Sequence, residues 1–145
     1  MSAEDKRRLP ETGTDFLDFC SQTVAVMDAA NARDTAAASA IQLDDYRLGW
    51  CAGYIEALED DIHILQVLES TVSAPSKPID WNKGPMGICI PLNVSNGELQ
   101  RVVVKYLRDN PEQLHEYLVQ FDLKILKHAY PCPAATDEKK QEKKP

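Results

Sequence analysis

Between Asp44 and Glu69 the apolar residues Leu48, Cys51, Ile55, Leu58, Ile62 and Leu65 recur at alternating spacings of three and four. That period predicts one long helix with a buried stripe. Upstream, Phe16, Leu17, Cys20, Val24 and Met27 repeat on one side of a first helix, with Thr14 as its expected N-cap. The alanine-rich residues 29–45 between them combine helix propensity with little bulk, which suits a weak helix or a helical turn leading into a loop.

From Thr71 to Pro91 the pattern breaks, because Pro75, Pro78, Pro85 and Pro91 together with Gly84 and Gly87 forbid a continuous helix. Two helices with readable starts follow. Ser95 and Glu98 form a capping box ahead of Leu99, Val102, Val103, Tyr106 and Leu107. Asn110 as N-cap, Pro111 at the first helical position and Gln113 behind it open the next, whose stripe is Leu114, Leu118, Phe121, Ile125 and Ala129. With almost nothing between them, these two should form an antiparallel hairpin.

The expected fold is therefore all-α, a compact single-domain bundle of four to five helices over residues 14–133. A long Pro/Gly-rich loop separates its second and third main helices. Residues 1–13 are expected to be a disordered leader and residues 134–145, rich in lysine and acid, a disordered tail. The chain's 145 residues, of which 43% are hydrophobic, suffice for one core and not for two ordinary domains.

A formal net charge of -7 repels polyanions, which argues against nucleic acid and suits a basic partner. No stretch approaches the roughly 20 apolar residues of a membrane span, so no membrane insertion is expected. Lys6, Arg7 and Arg8 precede no apolar run, so the N-terminus is not a secretory signal. Either a signal has been removed before this start, or the protein stays in the cytoplasm.

Cys20, Cys51, Cys89 and Cys132 contain no C-x-x-C, and no histidine pair stands at zinc-ligand spacing, which disfavours a metal or redox centre. Two structural disulfides or four buried thiols remain, and four cysteines permit three pairings. Cys89 and Cys132 flank the predicted hairpin at its open end. A bond between them is geometrically natural and leaves Cys20 with Cys51 on the first two helices. In the chain-entropy model a loop of that size contributes about 4 kcal/mol.

Candidate chemistry is thin. His63, His115 and His128 fall on predicted helices at ordinary amphipathic spacing, and adjacent Asp60 and Asp61 point about 100° apart on a helix, so they rarely converge on one substrate. A Cys-His pair has no thiolate if the cysteines are oxidised. No phosphate-loop, dinucleotide or H-E-x-x-H motif is present, and no catalytic residue, cofactor or metal is assigned. The candidate partner-binding residues are Asp80, Trp81, Asn82 and Lys83 at the centre of the loop, and Glu56 and Asp60 on the acidic face of the long helix, beside Glu59 and Asp61. A loop tryptophan either anchors a partner or folds back over the core, and an acidic face is either solvated or meets a basic protein. Gly49 and Gly53 within the long helix suggest either close approach by another helix or a tolerated packing irregularity.

The order Cys51-Ala52-Gly53-Tyr54-Ile55, Gly87-Ile88-Cys89-Ile90-Pro91, Val94 through Gly97 to Tyr106-Leu107, Asn110-Pro111-Glu112-Gln113-Leu114-His115 and Tyr130-Pro131-Cys132-Pro133 resembles the Rap/Tai family of type VI secretion immunity proteins. The match covers roughly residues 46–133, and Cys20 fits the family's upstream cysteine. The resemblance implies a small helical periplasmic protein, often a homodimer, that binds a cognate cell-wall-degrading effector and blocks its active-site groove. Characterised targets in the family are peptidoglycan amidases. It also implies that Cys51, Gly53, Tyr54, Cys89, Pro91 and Cys132 are scaffold, with Tyr54 and His115 making buried hydrogen bonds. The loop from Ser73 to Gly87 and the acidic helix face are then the expected effector surface. The alternative is a periplasmic stress or chaperone-like helical protein without a dedicated toxin partner.

Overall fold

The computed structural model describes residues 9–42 and 44–134. The portions of the expected leader and tail at residues 1–8 and 135–145 lie outside the described residues. Five helices follow in order: α1 (Gly13–Asn31), α2 (Thr35–Ala40), α3 (Asp45–Ser73), α4 (Asn96–Asp109) and α5 (Leu118–Ala129). The all-α expectation holds. Among the described residues the extended pairings are two isolated bridges, Thr12 with Tyr117 and Ile88 with Pro131.

Helix α1 starts at Thr12, not at the expected Thr14. The Thr12 side chain accepts from the Asp15 amide while the Asp15 carboxylate answers the Thr12 amide, a complete capping box. The segment before it is stitched to the run before α5, where the Gly13 amide donates to the Glu116 carbonyl and the Leu118 amide to the Glu11 carbonyl. The approach is close at Gly13, where a Cβ would sit 3.0 Å from the Leu107 side chain and 3.2 Å from the Leu114 Cα, so a larger residue requires its neighbours to shift. The weak helix expected in the alanine-rich segment is α2, six residues capped by Asp34 and with no buried side chain.

Helix α3 is capped by Asp44 and runs to Ser73, a turn into the segment assigned to the loop. Its core face is narrower than the predicted stripe. Cys51, Ile55 and Ile62 are buried, Leu48 and Leu58 are half-buried, and Leu65 is exposed; Gln66 takes the last core position. Gly49 and Gly53 face open space, with nothing within 4 Å of a Cβ, so close helix approach does not explain them.

The Ser95–Glu98 capping box of α4 is as expected, and Leu99, Val103, Val104 and Leu107 are buried beneath it. The following helix starts later than Asn110. Pro111–Gln113 closes only a 3-10 turn, and the Asn110 side chain donates from Nδ2 back to the Tyr106 carbonyl in place of capping. Helix α5 begins after Tyr117, so the hairpin carries a real connection.

Helix α4 packs against α1, α3 and α5, and the core gathers where they meet, around Phe16, Ile55, Val103, Leu107, Phe121 and Ile125. Both disulfides form, Cys20–Cys51 tying α1 to α3 and Cys89–Cys132 tying the loop to the chain beyond α5. They close loops of 31 and 43 residues, worth about 4 kcal/mol each in the chain-entropy account. Backbone bonds support the second, from Cys89 to the Tyr130 carbonyl and from Cys132 to the Gly87 carbonyl.

Candidate functional site

The loop after α3 is held by one buried amide. Gln66, 1% exposed, donates from Nε2 to the Lys83 carbonyl at 3.0 Å and to the Asp80 carbonyl at 3.5 Å. Between those carbonyls residues 80–83 form a tight turn. The Lys83 amide donates to the Asp80 carbonyl, the Asn82 amide to Asp80 Oδ1, and Lys83 Nζ pairs with Asp80 Oδ2 at 3.7 Å. That turn presents Trp81 outward: the indole is 39% exposed, and its edge meets His63 of α3 at 6.0 Å between ring centroids. The ring thus stands against the helix with much of its surface in solvent. His63 is fixed in turn through Nε2 against the Ile90 carbonyl at 3.2 Å.

Glu56, Asp60 and His63 follow one another at i, i+4 and i+7 on α3, so they share one side of the helix. The acidic face and the Trp81 turn are therefore joined through His63. Glu56 accepts from Asn96 Nδ2 at 3.0 Å, which extends the surface to the start of α4. Beside them Glu59 has its carboxyl raised by partial burial, with His63 pulling it down and Glu56 and Asp60 pushing it up. Glu98 is lowered by its bond from the Ser95 backbone. The six candidate partner-binding residues are all exposed.

His115 is exposed, so the expectation of a buried hydrogen bond from it fails; it lies in the irregular run before α5, not on a helix. Tyr54 does make a buried bond, donating its hydroxyl to Asp122 Oδ2. Asp122 is 1% exposed and its other oxygen, Oδ1, has no hydrogen-bond partner among the described residues. Burial pushes this carboxyl up to about 7, against the lowering effect of the Tyr54 bond. Burial and then the Asp122 charge hold the Tyr54 hydroxyl far above its ordinary value. Asp122 was not singled out from the sequence. Trp50 was missed as well: it stacks on Tyr54 at 4.8 Å and meets Phe16 and Phe19 edge-on.

All four cysteines are oxidised, so none offers a thiolate. No group of three potential metal ligands comes together among the described residues, and no described helix is long and apolar enough to cross a membrane.

The fold and its cross-links define a small disulfide-stapled all-α domain. The family model of the Rap1a immunity proteins matches residues 12–132, and the chain belongs to that family. No curated protein matches the chain, and no solved structure does.

Proposed function

We propose that the chain is a periplasmic immunity protein that binds a cognate type VI secretion effector, a peptidoglycan amidase, and occludes its active site. The match to the Rap1a immunity proteins across residues 12–132 carries this reading. Two disulfides support an oxidising compartment. Protection by occlusion needs no catalysis by the inhibitor. It needs a rigid surface whose ordering cost has been met before binding.

Asp80, Trp81, Asn82 and Lys83 supply that surface together with Glu56 and Asp60. Gln66 fixes the turn from below, and the exposed indole is the type of side chain that dominates interface energetics. The acidic side chains beside it steer a basic effector. The protein works as a homodimer in this reading, which sedimentation of the oxidised chain checks directly.

Calorimetric titration against candidate amidase effectors, with an amidase assay alongside, tests the proposal. Stoichiometric binding that abolishes cleavage is expected; binding without inhibition rejects occlusion. The chaperone-like alternative draws on the exposed apolar residues Ile64, Leu65, Leu68 and Val72 of α3. It predicts binding of many unfolded clients in place of one folded effector.

A further inference from the structure

The two disulfides differ in their surroundings. Cys20 and Cys51 are each 0% exposed, sealed between α1 and α3. Cys89 and Cys132 are half-buried, so only their bond borders solvent. Access is one of the factors that set the rate of thiol–disulfide exchange, and it separates the two bonds.

The bond at the surface is also part of the Trp81 turn. The Gly84 amide donates to Cys132 Sγ at 3.2 Å, and a Cβ on Gly84 would stand 3.3 Å from Cys89 Sγ, so residue 84 rests on both sulfurs. Gly84 directly follows Lys83, whose carbonyl accepts from Gln66 at 3.0 Å. The turn is thus held from one side by a buried amide and from the other by the disulfide. Reduction leaves the first hold in place and removes the second, because two thiols cannot remain at bonding distance beneath Gly84. The backbone bonds from Cys89 to the Tyr130 carbonyl and from Cys132 to the Gly87 carbonyl do not depend on the sulfurs, which confines the opening to the turn.

The same hydrogen bond distinguishes the two sulfurs chemically. In exchange, the sulfur whose thiolate is better stabilised leaves faster. The Gly84 N–H already points at Cys132 Sγ, and no described residue donates to Cys89 Sγ. Lys127 of α5 brings positive charge to this end, its Nζ 3.9 Å from where a Cβ on Gly87 would stand, while Glu59 and Glu98 act on Tyr130 from α3 and α4. The N–H decides between the sulfurs because it touches one of them.

We propose that Cys89–Cys132 is a thiol-operated switch on the Trp81 turn, opened by attack at Cys89 with Cys132 as the leaving thiolate. An external thiolate, from a small thiol or a C-x-x-C dithiol, forms a mixed disulfide with Cys89 Sγ as the Cys89–Cys132 bond breaks, and the electron pair departs on Cys132 Sγ. A second thiolate then attacks the reductant's sulfur, so two thiols are oxidised to one disulfide and Cys89 is released and protonated by water. The consequence for the effector rests on the reading of residues 80–83 as its surface: only the oxidised chain presents an ordered indole.

The test treats the oxidised full chain with reduced glutathione, quenches with acid, alkylates free thiols and maps them by peptide mass spectrometry. Cys89–Cys132 should open about a hundredfold faster than Cys20–Cys51, and glutathione should be found on Cys89 about tenfold more often than on Cys132. Amide hydrogen exchange of the treated chain should accelerate about tenfold at residues 80–84 while the amides of Phe16, Val103 and Phe121 stay protected. Cys89→Ser with Cys132→Ser should show that exchange pattern without any thiol. Equal opening of the two bonds, glutathione mainly on Cys132, or unchanged exchange at residues 80–84 overturns the proposal. So does loss of protection throughout the chain, because the bond would then staple the whole fold and switch no single turn. Effector binding enters none of these readouts, so failure of the switch leaves the occlusion reading untouched.

Discussion

Asp122 is held by Tyr54 between α3 and α5, and its burial makes the stability of the fold depend on pH. Its carboxyl is pushed from 3.8 to about 7, so the folded chain favours the neutral form. The stability from that preference is complete below about pH 4 and is lost as pH rises through about 7. Asp122→Asn removes the titration while keeping the shape. Urea unfolding should show the variant more stable than the parent near pH 8, by up to about 4 kcal/mol for a shift of that size, with the difference shrinking toward pH 4. Parallel pH profiles would refute this role. Trp81 belongs to the same scale but to another property. Its half-exposed ring adds little to the core, so Trp81→Ala should leave Tm nearly unchanged while weakening effector binding by about 2 kcal/mol. Calorimetry with a melting curve on the same sample separates the two effects.

Helix starts divide the elements into those that local chemistry determines and those that distant contacts determine. The Ser95 cap of α4 is local: the hydroxyl and Glu98 satisfy each other's backbone groups, and the spacing is readable in the chain. Ser95→Ala should cost about 1 kcal/mol in chemical denaturation, and no change would contradict the cap's role. The Thr12 cap was equally readable, since Asp15 stands three residues on, although the apolar stripe beginning at Phe16 pointed to Thr14. The start of α5 was not. Residues before it bond back to Glu11, Gly13 and Thr14, a pairing across about a hundred residues that no local pattern carries. The stripe of α3 misled for a related reason. Its period continues through Leu65, but the core ends near Ile62, and buried Gln66 serves the loop instead. Asp122 was invisible because a polar residue next to Phe121 reads as surface. The loop residues at 80–83 were legible as a candidate surface from composition alone, whereas their connection to Glu56 and Asp60 through His63 needed the helix and the turn in place. Gly84 adds a sharper prediction. A Cβ there would meet the Ile88 carbonyl at 1.7 Å, so Gly84→Ala should displace the turn beside Cys89–Cys132 and lower Tm sharply in a melting curve.

At the scale of the whole molecule, the cysteine pairing inferred from hairpin geometry is the pairing found, because two residues flanking an antiparallel pair have few other places to go. The long loop is therefore anchored at its centre by Gln66 and near its far end by the second disulfide. Removing that bond through Cys89→Ser with Cys132→Ser should lower stability by about 4 kcal/mol in urea titration while the Cys20–Cys51 bond remains. A much smaller loss would mean that the unfolded chain is already restrained. Membership of the Rap1a immunity proteins gives this rigid body its proposed task, and the net charge of -7 suits a basic partner. The most direct measurement is calorimetric titration of the oxidised chain with the cell-wall effector of the same type VI system, read beside the effector's amidase activity. The account predicts a saturating stoichiometric complex in which cleavage stops and which Trp81→Ala weakens. An effector that neither binds the oxidised chain nor loses activity in its presence would contradict it.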